Sequence, residues 1–132
     1  MKLVLPLPIS PNAAPTNGLH RHGHKRRYQK TVWVAAVMQH KPSIDPPVAV
    51  VVSAEFFVHS LRDEDNLKAS LKDLLDALRQ KQTGNIDWRQ GLYDQCGYFI
   101  DDNPAHMTLG SVTQQVDRKN KRVEVTIEVL NP

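Results

Sequence analysis

Two acidic pairs carry the chemistry that can be read in this chain. Asp63 and Asp65 flank Glu64 in the run Arg62-Asp63-Glu64-Asp65-Asn66, and Asp101 and Asp102 follow the apolar Tyr98-Phe99-Ile100. Carboxylates suit hard divalent cations such as Mg²⁺, which keep several waters and are commonly held by one or two protein carboxylates plus a substrate phosphate. In extended backbone Asp63 and Asp65 point the same way, so both can face one cation from the end of a strand. The same residues also suit a helix N-cap, where a carboxylate accepts from an unpaired backbone N–H. Asp101-Asp102 before Asn103-Pro104 likewise suits a simple turn.

The flanking patterns predict what positions these groups. Val48 to Val58 is rich in Val and Phe and reads as a strand ending shortly before Arg62. Leu67, Leu71, Leu74, Leu75 and Leu78 form one apolar stripe at helical spacing, which predicts a helix directly after the first acidic pair. Tyr28 to about His40 is expected to be a helix stopped at Lys41-Pro42, with residues 42–47 a stiff connection. Lys2 to Leu7 can form a strand, which the proline-rich segment then ends. Residues 8–25 read as a long loop, with a basic stretch at about 16–27. Residues 79–96 read as a variable connection. Met107 to Val116 and Arg122 to Leu130 are expected to form a hairpin through Asp117-Arg118-Lys119-Asn120-Lys121. In its second strand Val123, Val125, Ile127 and Val129 share one face, opposite Glu124, Thr126 and Glu128.

At 132 residues the chain has the length of one domain. Charge is unevenly placed. Residues 1–47 carry seven Lys/Arg and one acid (+6), residues 48–104 six and ten (−4), and residues 105–132 four and three (+1). An acidic middle beside a basic N-terminal third is the distribution of a protein that holds metal ions with one segment and grips a polyanion with another. A lone cysteine, Cys96, can form no internal disulfide and supplies no thiolate cluster, so a cytoplasmic location is the expectation. Prolines at 6, 8 and 11 interrupt the opening apolar stretch before an export-signal core develops. No run reaches the roughly 18 apolar residues of a membrane helix.

The order LPLPISPN, then DEDNLKASLKDLLDAL, then GYFIDDNPA, then a closing hairpin resembles the RusA family of Holliday junction resolvases across nearly the whole chain. The resemblance implies an α/β (α+β) fold with a small mixed sheet packed against helices, a single endonuclease domain over residues 1–132, and a homodimer. It also implies Mg²⁺-dependent symmetric cleavage of four-way DNA junctions in recombination and repair, with no small-molecule cofactor, and a prophage origin is in keeping with it. Carried over by position, Asp63 and Asp65 match the first two metal-binding aspartates and Asp102 the third. Arg62 matches a basic residue beside the scissile phosphate. The family's lysine, four residues after the second aspartate, is replaced here by Ala69. Lys72 lies three residues on, near the same helix face, and is the expected substitute, whereas Lys68 is rotated by about 100°.

On this reading the aspartates hold Mg²⁺ to activate a water and neutralise charge on the phosphate, with Arg62 and a lysine adding electrostatic stabilisation. Arg21, Lys25, Arg26, Arg27 and Lys68 are expected to contact phosphates, adding salt-dependent affinity without base specificity. The alternating histidines His20, His22 and His24 lack the wider constellation of a closed zinc site. The alternative function is a junction- or DNA-binding protein on the same scaffold that does not cleave, because its lysine has moved.

Overall fold

The computed structural model describes residues 1–8, 18–40, 47–79 and 96–130, with side chains in the second segment described from residue 26. Its elements are β1 (Lys2–Leu5), α1 (Gly18–Gln39), β2 (Val50–Val58), α2 (Glu64–Leu78), β3 (Met107–Val116) and β4 (Arg122–Val129). They form an α+β architecture: one four-stranded mixed sheet in the order β1-β4-β2-β3, with two helices.

Alternation builds the core. Leu3 and Leu5 of β1, Val50, Val52, Ala54, Phe56 and Val58 of β2, and Val123, Val125 and Ile127 of β4 are buried together. Helix α1 adds Val32 and Ala36, with Tyr28 and Trp33 packed at the margin, and α2 adds Leu71, Leu74, Leu75 and Leu78. The leucine stripe therefore faces the sheet as its spacing requires, with Leu67 at the rim. Val129, expected on the buried face of β4, is 57% exposed at the last position of the strand.

Two expectations are corrected. Residues 18–27, anticipated within a basic loop, belong to the 22-residue α1; residues 9–17 lie outside the described residues. A polar run with no apolar period gives no helix signal of its own. Among the described residues, the apolar contacts of α1 come from Tyr28 to Ala36, where side chains four residues apart meet the core.

The second correction concerns topology. β3 and β4 are not paired as a hairpin: β3 pairs parallel with β2, and β4 pairs antiparallel with the other side of β2. The connecting turn crosses the end of β2, where Asp117 N–H donates to the Val58 carbonyl at 2.9 Å. The most apolar strand thus takes the centre, satisfying its ladder on both sides. Parallel neighbours need a long crossover. Between β2 and β3 that connection includes α2, whose following residues 80–95 lie outside the described residues.

Candidate functional site

Asp63 ends the extended chain and caps α2. Its backbone is extended (φ −66°, ψ 169°), its Oδ1 accepts from the Asn66 backbone N–H at 2.8 Å, and its Oδ2 accepts from Asn66 Nδ2 at 3.0 Å. Asp65, exposed, already sits in the first helical turn. The expectation that the two carboxylates point the same way on extended backbone therefore fails. The helix begins one residue too early for strand alternation to hold, and Asp63 has the N-cap role foreseen as its alternative.

Arg62 is the junction of three elements. Its half-buried guanidinium donates from Nη1 to Ser70 Oγ of α2 at 2.6 Å and from Nη2 to the Pro8 carbonyl beyond β1 at 2.9 Å. The side-chain amide of Gln114 in β3 holds its backbone, accepting from Arg62 N at 2.9 Å and donating to Arg62 O at 2.8 Å. Ser70, fully buried, is itself satisfied by donating to the Asn66 carbonyl at 2.8 Å. Burial lowers the Arg62 pKa, as expected for a cation whose partners are neutral oxygens. Among the described residues no carboxylate forms an ion pair with it.

These residues border a crevice of about 400 Å³ at the carboxyl ends of β2 and β3, lined by Leu7, Val58, His59, Ser60, Leu61, Arg62, Asp63, Asn66 and Lys121. Crevices at the carboxyl ends of parallel strands are common ligand positions in open α/β sheets. Arg62 and Lys121 give the space a cationic lining, with the His59 imidazole beside them and a single carboxylate, Asp63. Arg118 adds a guanidinium at the rim, donating from Nε to the His59 carbonyl at 3.2 Å. The sequence reading missed Lys121, Arg118, His59 and Gln114. The basic turn Arg118-Lys119-Lys121 was a visible signal, but its place beside Arg62 follows only from the β3–β4 crossover.

The second acidic pair is elsewhere. Arg79, the C-cap residue of α2, reaches Asp101 at 3.3 Å, Asp102 at 3.8 Å and Asp76 at 3.6 Å. Asp101 also accepts the Asp102 backbone N–H at 2.8 Å, the leading cause that holds its pKa below the usual carboxylate range. Partial burial, with the Asp101 carboxylate beside it, pushes Asp102 the other way.

Asp63 and Asp102 thus mark opposite ends of the 15-residue α2, about 22 Å apart along its axis at 1.5 Å per residue. The sheet gives the same result. Asp63 follows the end of β2, whereas residues 102–106 precede β3, whose Met107 pairs with Val50 at the start of β2. The expected set of Asp63, Asp65 and Asp102 around one Mg²⁺ does not assemble within a single chain. Consistently, no group of three His, Cys, Asp or Glu able to hold a metal ion occurs among the described residues.

The expected basic partners scatter. Lys72 is exposed on α2, and neither it nor Ala69 is among the residues that line the crevice. Lys68 forms an exposed i,i+4 pair with Glu64 at 3.2 Å. Arg26 and Arg27 are exposed on α1, while the side chains of Arg21 and Lys25 lie outside the described residues. No helix among the described residues is long and apolar enough to cross a membrane. No protein-family model matches the chain, and no curated protein matches it.

Proposed function

We propose that this chain is a RusA-type endonuclease that acts as a homodimer on branched DNA in the cytoplasm, cutting four-way junctions with the help of Mg²⁺. The ordered DEDN, leucine-helix and DD segments support the reading, as does the division of charge along the chain. The observation that carries it is the Arg62 crevice: a cation anchored on neutral oxygens, flanked by His59 and Lys121, at the carboxyl ends of two parallel strands.

The chain's own residues have definable tasks there. Arg62, fixed by Ser70, Pro8 and Gln114, presents charge to a phosphodiester without paying to order its side chain on binding. Lys121 and Arg118 add phosphate contacts whose strength falls with salt. Because one chain separates Asp63 from Asp102, carboxylates from the two ends can meet only across two copies.

A second reading, junction binding without cleavage, is favoured by a specific observation: both oxygens of Asp63 are engaged by Asn66, and Ala69 stands where a lysine is implied. One experiment separates the two. A labelled four-way junction and a linear duplex are incubated with wild type, Arg62→Gln and Asp65→Asn, with Mg²⁺ or with chelator. The endonuclease reading expects paired, junction-selective nicks that require Mg²⁺ and Asp65. Binding lost in Arg62→Gln, with no nicks from wild type in any condition, establishes the binding-only protein.

A further inference from the structure

The Arg62 crevice carries two chemistries side by side. Arg62 and Lys121 line it with positive charge, and Arg118 adds a guanidinium at the rim. Leu7, Val58 and Leu61 line the same space with hydrocarbon. Val58 belongs to the buried core and Leu7 packs against it, whereas Leu61 stands 63% exposed directly before Arg62. A phosphate group by itself needs only the cations. The crevice volume of about 400 Å³ instead falls within the range of small-molecule pockets, roughly 300–1,000 Å³, which combine apolar walls with a few fixed polar groups.

Both apolar walls are held in place by the fold. On the Leu61 side, the Val58 carbonyl accepts from Asp117 N–H at 2.9 Å and the His59 carbonyl accepts from Arg118 Nε at 3.2 Å. The Gln114 amide brackets the Arg62 backbone at 2.9 and 2.8 Å. On the Leu7 side, Tyr28 Oη donates to the Pro6 carbonyl at 2.9 Å and Arg62 Nη2 donates to the Pro8 carbonyl at 2.9 Å. Leu7 and Leu61 thus sit on short links tied at both ends, so little ordering of these links remains when a ligand binds.

We propose that the crevice holds a single unpaired nucleotide of the DNA, with its phosphate on Arg62 and Lys121 and its base against Leu7 and Leu61, a role that rests on the reading of this crevice as a DNA site. Taking a base out of a continuous duplex costs free energy, and less where pairing is already interrupted, as at a branch point. A crevice filled only by an extruded nucleotide therefore favours branched DNA over linear duplex without reading base sequence. An exposed leucine suits the task, because leucine is among the apolar side chains that DNA-deforming proteins insert between base steps. Arg62 and Lys121 would hold the phosphate of any nucleotide alike, and hydrocarbon walls accept any base face.

Titration of the full chain with thymidine monophosphate, thymidine and inorganic phosphate, followed by NMR, tests the crevice without DNA. The nucleotide is expected to bind about tenfold more tightly than phosphate or thymidine, the gain from covering part of the base with hydrocarbon. Leu61→Ser is expected to bring the nucleotide down to the phosphate level while leaving phosphate affinity unchanged. Lys121→Gln is expected to weaken nucleotide and phosphate together. Both positions are exposed, so each substitution leaves the core intact. A nucleotide that binds no more tightly than phosphate, or as tightly to Leu61→Ser as to wild type, overturns the proposal. On DNA, Leu61→Ser should lose about tenfold in affinity for a four-way junction and keep its affinity for linear duplex; an equal loss on both also overturns it. The expected pattern in a protein that cuts no DNA upholds the nucleotide site and removes the endonuclease reading. Junction cleavage by a protein that binds the nucleotide no better than phosphate removes the nucleotide site and leaves the endonuclease reading standing.

Discussion

An arginine stands beside acidic residues at each end of α2, and the two are held in opposite ways. At the amino end Arg62 is fixed by a hydroxyl and a carbonyl, so its charge is held but not cancelled. At the carboxyl end Arg79 is surrounded by Asp76, Asp101 and Asp102, so its charge is spent inside the protein. The first arrangement leaves a cation available to an anion from outside; the second is an internal ion-pair network tying the helix end to the returning chain, where Arg79 also bridges to Phe99. Similar residue types thus have different uses, decided by which atoms are already satisfied.

The contrast is broken most sharply at Arg79. Replacing it with Met removes the guanidinium that Asp76, whose side chain is 5% exposed, shares with Asp101 and Asp102. Removing one member of a buried pair is strongly destabilising, so Arg79→Met is expected to lose about 3 kcal/mol in chemical denaturation. A loss no greater than that of an ordinary surface substitution contradicts the network.

A smaller effect separates two roles of one residue. Asp63→Ala should cost about 1 kcal/mol through the lost cap, whereas Asp63→Ser keeps an acceptor for Asn66 and should stay within about 0.5 kcal/mol of wild type. If both variants lose DNA cleavage, the carboxylate is needed for more than the cap; if Asp63→Ser is fully active, the cap is its whole function.

The smallest expected effect concerns the turn that brings Lys121 to the crevice. Its flanks are tied by Arg122 to Asp117 at 3.1 Å and to Glu124 at 2.8 Å, while Lys2 reaches Glu124 at 2.7 Å. Arg122 also lies 3.7 Å over the Phe57 ring. Hydrogen bonds from Lys2 and then Arg122 hold the Glu124 pKa below its ordinary value, and the bond from Arg122 does the same for Asp117. A depressed carboxylate stabilises the fold above the ordinary carboxylate range and loses that contribution as pH falls through the lowered folded value. Melting temperatures measured between pH 6 and pH 3, roughly spanning that range, should therefore fall more in wild type than in Glu124→Gln. Equal declines contradict the assignment.

Local patterns specified the elements well. The leucine stripe, the valine-rich central strand and the alternation of β4 each report a face that must be buried, and burial is set by side-chain periodicity. The capping role of Asp63 was also legible, since Asp is a favoured N-cap where a strand gives way to a helix. The amino half of α1 was not legible, because its polar residues carry no apolar period.

What the sequence alone determined, then, is which residues form the strands and the apolar helical segments, the amino half of α1 excepted, and which faces they bury. The tertiary structure decided which end of the sheet each acidic pair occupies. Strand direction fixes this: segments that follow β2 and precede a parallel β3 fall at opposite ends, whereas an antiparallel β3 would have returned Asp102 towards Asp63. Pairing direction depends on the crossover and on which neighbours complete the ladder of β2, and no local pattern in the chain records it.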